Sequence, residues 1–126
     1  MDKEISGYRE MIVEMENTAH YVGSGDLDVF ATPSLIALIE GTAAKSVEKI
    51  LNKGESTVGT LVNVKHIAPT PVGMKVRCET RLVDRDRKKL VFDVKVFDEK
   101  TIICEGVHER FIINSEKFIK KAMAKL

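Results

Sequence analysis

Apolar and polar residues along this chain follow two different periods, and the change between them divides it. Within residues 33–51, Ile36, Ile39, Ala43, Val47 and Ile50 recur at steps of three and four, the spacing that lines one face of a helix. Lys45, Glu48 and Lys49 lie away from that stripe. Thr32 followed by Pro33 marks the start. A threonine side chain can accept from the first free N–H groups, and proline is tolerated at the first helical position, where its missing N–H is not needed. Asn52-Lys53-Gly54 supplies the stop.

Beyond that helix the period falls to two. In residues 57–67, Val58, Thr60, Val62, Val64 and His66 share one strand face, until Pro69 and Pro71 interrupt. In residues 74–83, Met74, Val76, Cys78, Thr80 and Leu82 oppose Lys75, Arg77, Glu79 and Arg81. Charged turns at 84–88 and 98–100 set off strands at 90–97 and 101–113. Asn114 or Ser115 can then cap a short helix carrying Phe118, Ile119 and Met123. Ahead of the long helix, residues 8–15 read as a strand and 17–28 as a loop centred on Gly23-Ser24-Gly25-Asp26. The order is strand, helix, four strands, short helix. Short turns between consecutive strands favour antiparallel pairing. The helix must bury its stripe against that sheet, which predicts an α+β two-layer domain. No repeat, low-complexity tract or linker divides the chain, so residues 1–126 are expected to form one domain.

Composition narrows the class. Apolar residues make up 44% and charged residues 31%, the balance of an ordinary globular chain. Lys plus Arg number 20 against 19 for Asp plus Glu, so no net field draws in a nucleic acid. Cys78 and Cys104 form no CxxC pair and lie in alternating apolar segments, which predicts buried thiols in a reducing compartment. Met1-Asp2-Lys3-Glu4 lacks the apolar run of a signal peptide. No stretch approaches the roughly 20 apolar residues that cross a bilayer. The expectation is a cytoplasmic protein with no membrane partner.

Three residues stand out as candidate chemistry. Glu40 falls inside the apolar stripe, one turn after Ile36 and one turn before Ala43. A carboxylate there must be paired or hydrogen-bonded, and a positioned carboxylate suits acid/base or nucleophilic work. A side chain at the stripe's edge with its head in water would do neither. Thr32 lies on the same side two turns earlier, either as helix cap or as a hydroxyl near a helix N-terminus, where anions are stabilised. His66 shares its strand face with Val62 and Val64, either as a satisfied core residue or as a base near neutral pH. His20 and His108 have no metal-ligand spacing with it or with the cysteines. No glycine-rich phosphate loop and no Gly-x-Ser-x-Gly elbow occurs, which excludes an α/β-hydrolase.

Several short segments carry a resemblance as an ordered set. They are Gly23-Ser24-Gly25-Asp26-Leu27, Phe30-Ala31-Thr32-Pro33, Leu38-Ile39-Glu40, Val58-Gly59-Thr60, Val64-Lys65-His66 with Ala68-Pro69-Thr70-Pro71-Val72-Gly73, and Gly106-Val107-His108-Glu109-Arg110-Phe111. In this order the chain resembles the fluoroacetyl-CoA-thioesterase-like family of hot-dog proteins. The resemblance implies a hot-dog fold, an antiparallel sheet wrapped around one long central helix. It implies an acyl-CoA thioesterase with Thr32, Glu40 and His66 as catalytic residues. It places Gly59 and Phe30 against the substrate, with a backbone N–H near Gly59 polarising the thioester carbonyl. It further implies a homodimer or larger homo-oligomer and no cofactor. His108 and Arg110 match the family's last strand, in a structural or CoA-facing role. The fluoroacetate-specific member carries an aromatic lid ahead of the Phe-Ala-Thr segment, whereas residues 23–29 here contain no aromatic. A more general acyl-CoA substrate follows. The competing readings are a hot-dog hydratase/dehydratase, whose usual signature is absent, and a non-catalytic acyl-CoA-binding module.

Overall fold

A computed structural model describes residues 4–126. The reading of the N-terminus, which rests in part on Met1, Asp2 and Lys3, lies outside the described residues. The elements in chain order are β1 (Ser6–Ile12), α1 (Ala19–Val22), α2 (Thr32–Ser46), β2 (Glu55–His66), β3 (Lys75–Asp86), β4 (Lys89–Phe97), β5 (Ile102–Asn114) and α3 (Ser115–Met123). The strands form one antiparallel sheet in the order β1-β3-β4-β5-β2. Tight turns join β3 to β4 and β4 to β5, as the pattern predicts. The connection after β2 instead crosses the sheet, so β2 and β1 are its two edges.

Helix α2 carries the alternation of the sequence with its phase shifted. Its buried residues are Leu35, Leu38, Ile39, Thr42 and Ala43, while Ile36 is only half-buried. Thr42 enters this apolar face because its hydroxyl donates to the Leu38 carbonyl at 2.7 Å, which satisfies it locally. The helix also stops earlier than residue 51. Val47 leaves helical geometry, and Glu48–Ile50 make one 3₁₀ turn. Val47 is nonetheless fully buried, and Ile50 packs against the core, so the apolar spacing reflects burial beyond the helix end.

Facing α2, the sheet contributes Val76 and Cys78 from β3, Leu90, Phe92, Val94 and Val96 from β4, and Ile103 and Cys104 from β5. Both cysteines are free, and burial pushes each thiol up to about 11, which leaves them protonated and inert. On β2 the strict alternation of Val58 through His66 is broken. Gly59 pairs with Arg110 and Leu61 with Glu109, so Thr60 is an extra residue in the ladder. A bulge of one residue exchanges the faces. Thr57 and Gly59 point inward before it, and Val62, Val64 and His66 point inward after it; Val58 does not share their face.

The segment leading into α2 is tied down. The Phe30 N–H donates to the Thr70 carbonyl and the Ala31 N–H to the Asn17 carbonyl, both at 2.9 Å. Thr70 in turn donates its hydroxyl to Asp98 at 2.9 Å, and the other Asp98 oxygen accepts from the Lys100 and Thr101 N–H groups. The expected loop at 17–28 is thus partly ordered as α1, capped by the Thr18 side chain. No helix among the described residues is long and apolar enough to cross a membrane.

Candidate active site

Thr32 does not cap its helix. Ala31 occupies the cap position and makes no side-chain cap bond, which leaves Thr32 as the first residue of α2. Its hydroxyl is instead 2.8 Å from His66 Nδ1. The strand supplies this partner because His66 is the last residue of β2, on the inward face set by the bulge. Phe30 packs edge-on against the His66 ring, with centroids 6.5 Å apart, and is itself 1% exposed. Burial holds the imidazole pKa below its ordinary value, and the Ala68 backbone partly opposes that shift. His66 Nε2 is buried with no hydrogen-bond partner among the described residues. Phe30, Thr32 and His66 line an open cavity of about 360 Å³ together with Ala19, Ser24 and Val29. A hydroxyl, an imidazole ring and a helix N-terminus therefore converge on one cavity.

Glu40 sits elsewhere. Eight residues of helix separate it from Thr32, a rise of roughly 12 Å. Its side chain is 40% exposed, so it lies at the edge of the apolar face instead of within it. One carboxylate oxygen, Oε2, accepts from Arg110 Nη1 at 3.4 Å. The same oxygen rests directly over Gly59, where an added Cβ would collide with it. The Glu40 carboxylate thus fills the space that a side chain at position 59 would take.

Arg110 was legible only as a family match, yet it is the most heavily bonded side chain here. Burial pulls its pKa down and Glu40 opposes that shift. Its Nε donates to Thr57 Oγ1 and its Nη2 to the Thr57 carbonyl, both at 2.9 Å. Its Nη1 lies 3.3 Å from His108 Nε2. Thr57, His108 and Arg110 are all buried on the inward face of the paired strands β2 and β5. An arginine on such a face is the one signal that could have revealed the cluster.

His108 is fully buried and stacks on Phe92. Its pKa is held below the ordinary value first by burial, against the pull of the Leu61 carbonyl; the Arg110 charge adds to the lowering, and Glu40 and Glu109 oppose it. Above about pH 6.5 the ring is neutral in both folded and unfolded chains. Below that, the unfolded chain takes up a proton that the folded one refuses, so stability falls with pH. Thermal melts between pH 7 and 5.5 are expected to show this fall at up to about 1.4 kcal/mol per pH unit from this residue. In His108→Gln the fall should be shallower; an unchanged slope would remove His108 from the account.

Known proteins share both the sequence and the shape. A family model described as fluoroacetyl-CoA-specific thioesterase matches residues 13–116. The fluoroacetyl-CoA thioesterase of Streptantibioticus cattleyicolor is 34% identical over 98 residues, covering 78% of this chain and 70% of that protein. A solved structure of the fluoroacetyl-CoA thioesterase superposes with a TM-score of 0.93 at 27% identity, over 100% of this chain and 98% of the other. A hot-dog-like protein of Thermanaerovibrio acidaminovorans, 20% identical, shares the fold at a TM-score of 0.85 over 97% of this chain and 92% of its own. The sheet and its long packed helix are thus the hot-dog fold. By the span of the family match and the identity to its relative, the chain belongs to the fluoroacetyl-CoA-specific thioesterase family.

Proposed function

We propose that this chain is an acyl-CoA thioesterase that hydrolyses its thioester to the free acid and CoA, with Thr32, Glu40 and His66 as catalytic residues. The observation that carries the site assignment is the 2.8 Å bond from Thr32 Oγ1 to His66 Nδ1, made by a hydroxyl that helix capping would otherwise have consumed. The acyl carbonyl lies in the cavity at the N-terminus of α2, where the helix dipole favours a developing oxyanion. The Gly59 N–H polarises the same oxygen. Glu40 attacks the carbonyl carbon, or draws the proton from an attacking water. His66 gives a proton to the departing CoA sulfur, and Thr32 orients the imidazole. In the covalent route water then hydrolyses the Glu40 anhydride, its proton returning to His66. In the direct route the water's proton stays on Glu40. A burst of CoA release selects the covalent route, and its absence selects direct water attack.

One chain does not bring these groups together, because Thr32, with His66 bonded to it, lies about 12 Å along the helix from Glu40. A homodimer resolves the separation. Strand β2 is an edge with unpaired backbone groups, which a second copy would cover. Antiparallel pairing of two β2 edges about an axis between Val62 and Asn63 sets Gly59 of one chain opposite His66 of the other. Each site then takes Glu40 and Gly59 from one subunit and Thr32 and His66 from the other. Residues 1–126 make one domain in this assembly, and two buried free thiols suit the reducing cytoplasm.

The substrate is an acyl-CoA of general kind. Ser24 and Val29 line the cavity where an aromatic lid would stand, which supports a broader acyl group than fluoroacetyl. A panel of acyl-CoA esters, with released thiol trapped as it forms, is expected to give turnover for at least one chain length. Binding without turnover across the whole panel would instead identify a binding module.

A further inference from the structure

We propose that His108 is a positioning residue for Glu40, acting through Arg110; this rests on the catalytic reading of Glu40 given above. His108 Nδ1 lies 2.8 Å from the Leu61 carbonyl oxygen, which can only accept. The ring proton is therefore on Nδ1, and Nε2 presents a lone pair. That lone pair faces Arg110 Nη1 at 3.3 Å, and a guanidinium can only donate. The tautomer is thus fixed from both sides. Leu61 lies where the ladder between β2 and β5 shifts register, so the histidine reads the same bulge that turns Gly59 inward.

Arg110 is then held at three corners. Thr57 takes Nε and Nη2 through its hydroxyl and its carbonyl, and His108 takes one hydrogen of Nη1. The second Nη1 hydrogen is left for Glu40 Oε2. Because the guanidinium is planar and fully braced, that remaining direction is fixed, and with it the place of the carboxylate. Glu40 Oε1 makes no hydrogen bond among the described residues, so one oxygen is held while the other stays free for chemistry. Without the His108 acceptor, Arg110 can rotate about its remaining bonds and Glu40 loses its anchor toward solvent.

The test is a double-mutant cycle on an acyl-CoA that wild type turns over. His108→Leu removes both nitrogens and is expected to lower kcat at least about tenfold, with KM within about threefold. His108→Gln can donate to Leu61 and accept from Arg110, and is expected to restore kcat to within about threefold of wild type. In a Glu40→Gln background, adding His108→Leu is expected to cost less than about threefold, because the group it positions is already gone. Circular-dichroism melts confirm that each variant is folded. A folded His108→Leu with normal kcat overturns the proposal. So does an undiminished further loss in the Glu40→Gln background, which marks a structural role only. If His108→Leu does not fold, Thr57→Val takes one acceptor from Arg110 at nearly equal volume and is judged by the same two criteria. Normal turnover in Glu40→Gln alone would instead sink the catalytic reading of Glu40, whatever His108 does.

Discussion

Glu40→Gln and His66→Ala are each expected to lower turnover at least about a hundredfold, the scale of a lost acid/base or nucleophilic group. Mixing the two inactive proteins under conditions that exchange subunits is expected to recover up to about one quarter of wild-type activity. The quarter follows from the geometry of a site shared across a two-fold axis. Random exchange makes half of the dimers mixed. In a mixed dimer one site takes both altered residues, and the other takes the intact Glu40 of one chain and the intact His66 of its partner. Half of the sites in half of the dimers then work. The motivation is internal to a single chain: Thr32 and His66 are bonded at 2.8 Å, whereas Glu40 is bound to Arg110 two turns further along α2. Recovery of no activity on mixing, with exchange shown by an independent label, would mean that each chain builds its own site. Retention of normal rates by both single variants would show that the wrong residues have been named.

The same residues show how far a sequence reading reaches. Period-two alternation found β3 with the right face inward, because burial on one side of a pleated strand needs no further information. It failed on β2, because one extra residue at Thr60 exchanges the faces and no local property of Val58-Gly59-Thr60-Leu61 announces a bulge. The helix was found, and Ile39, Ala43 and Val47 of its stripe are buried, but the buried face turns toward Leu35 and Leu38 and away from Ile36. Leu35 and Leu38 point at the sheet, while Ile36 lies at the margin. That shift moved Glu40 from an expected burial to a half-exposed edge and gave Thr32 a partner other than its own helix. Periodicity could not join Thr32 to His66, since residues 34 positions apart meet only through tertiary structure. The Thr57–His108–Arg110 brace stayed hidden for the same reason. Each member looks like an ordinary strand residue until β2 and β5 are paired.

The second large effect falls on a residue with no side chain. Gly59→Ala is expected to lower kcat about a hundredfold while shifting stability by less than about 1 kcal/mol. Gly59 is not among the glycines with positive φ, so its backbone accepts alanine without strain. Alanine is no worse than glycine in a strand, which removes the usual conformational penalty. The whole consequence is steric and local: the new Cβ collides with Glu40 Oε2 and comes within 3.3 Å of Arg110 Nη1. Arg110 cannot retreat, because Thr57 and His108 together hold it at three corners and only 8% of its side chain is exposed. Glu40 can, because 40% of its side chain already meets solvent. The carboxylate therefore moves and the fold does not. A displacement near 1 Å at a reacting group is enough to cost about a hundredfold in rate. Melting curves beside steady-state rates separate the two effects. An inactive protein that melts with wild type ties catalysis to where the carboxylate sits, and an active one would show that its contact with Gly59 has no part in the reaction.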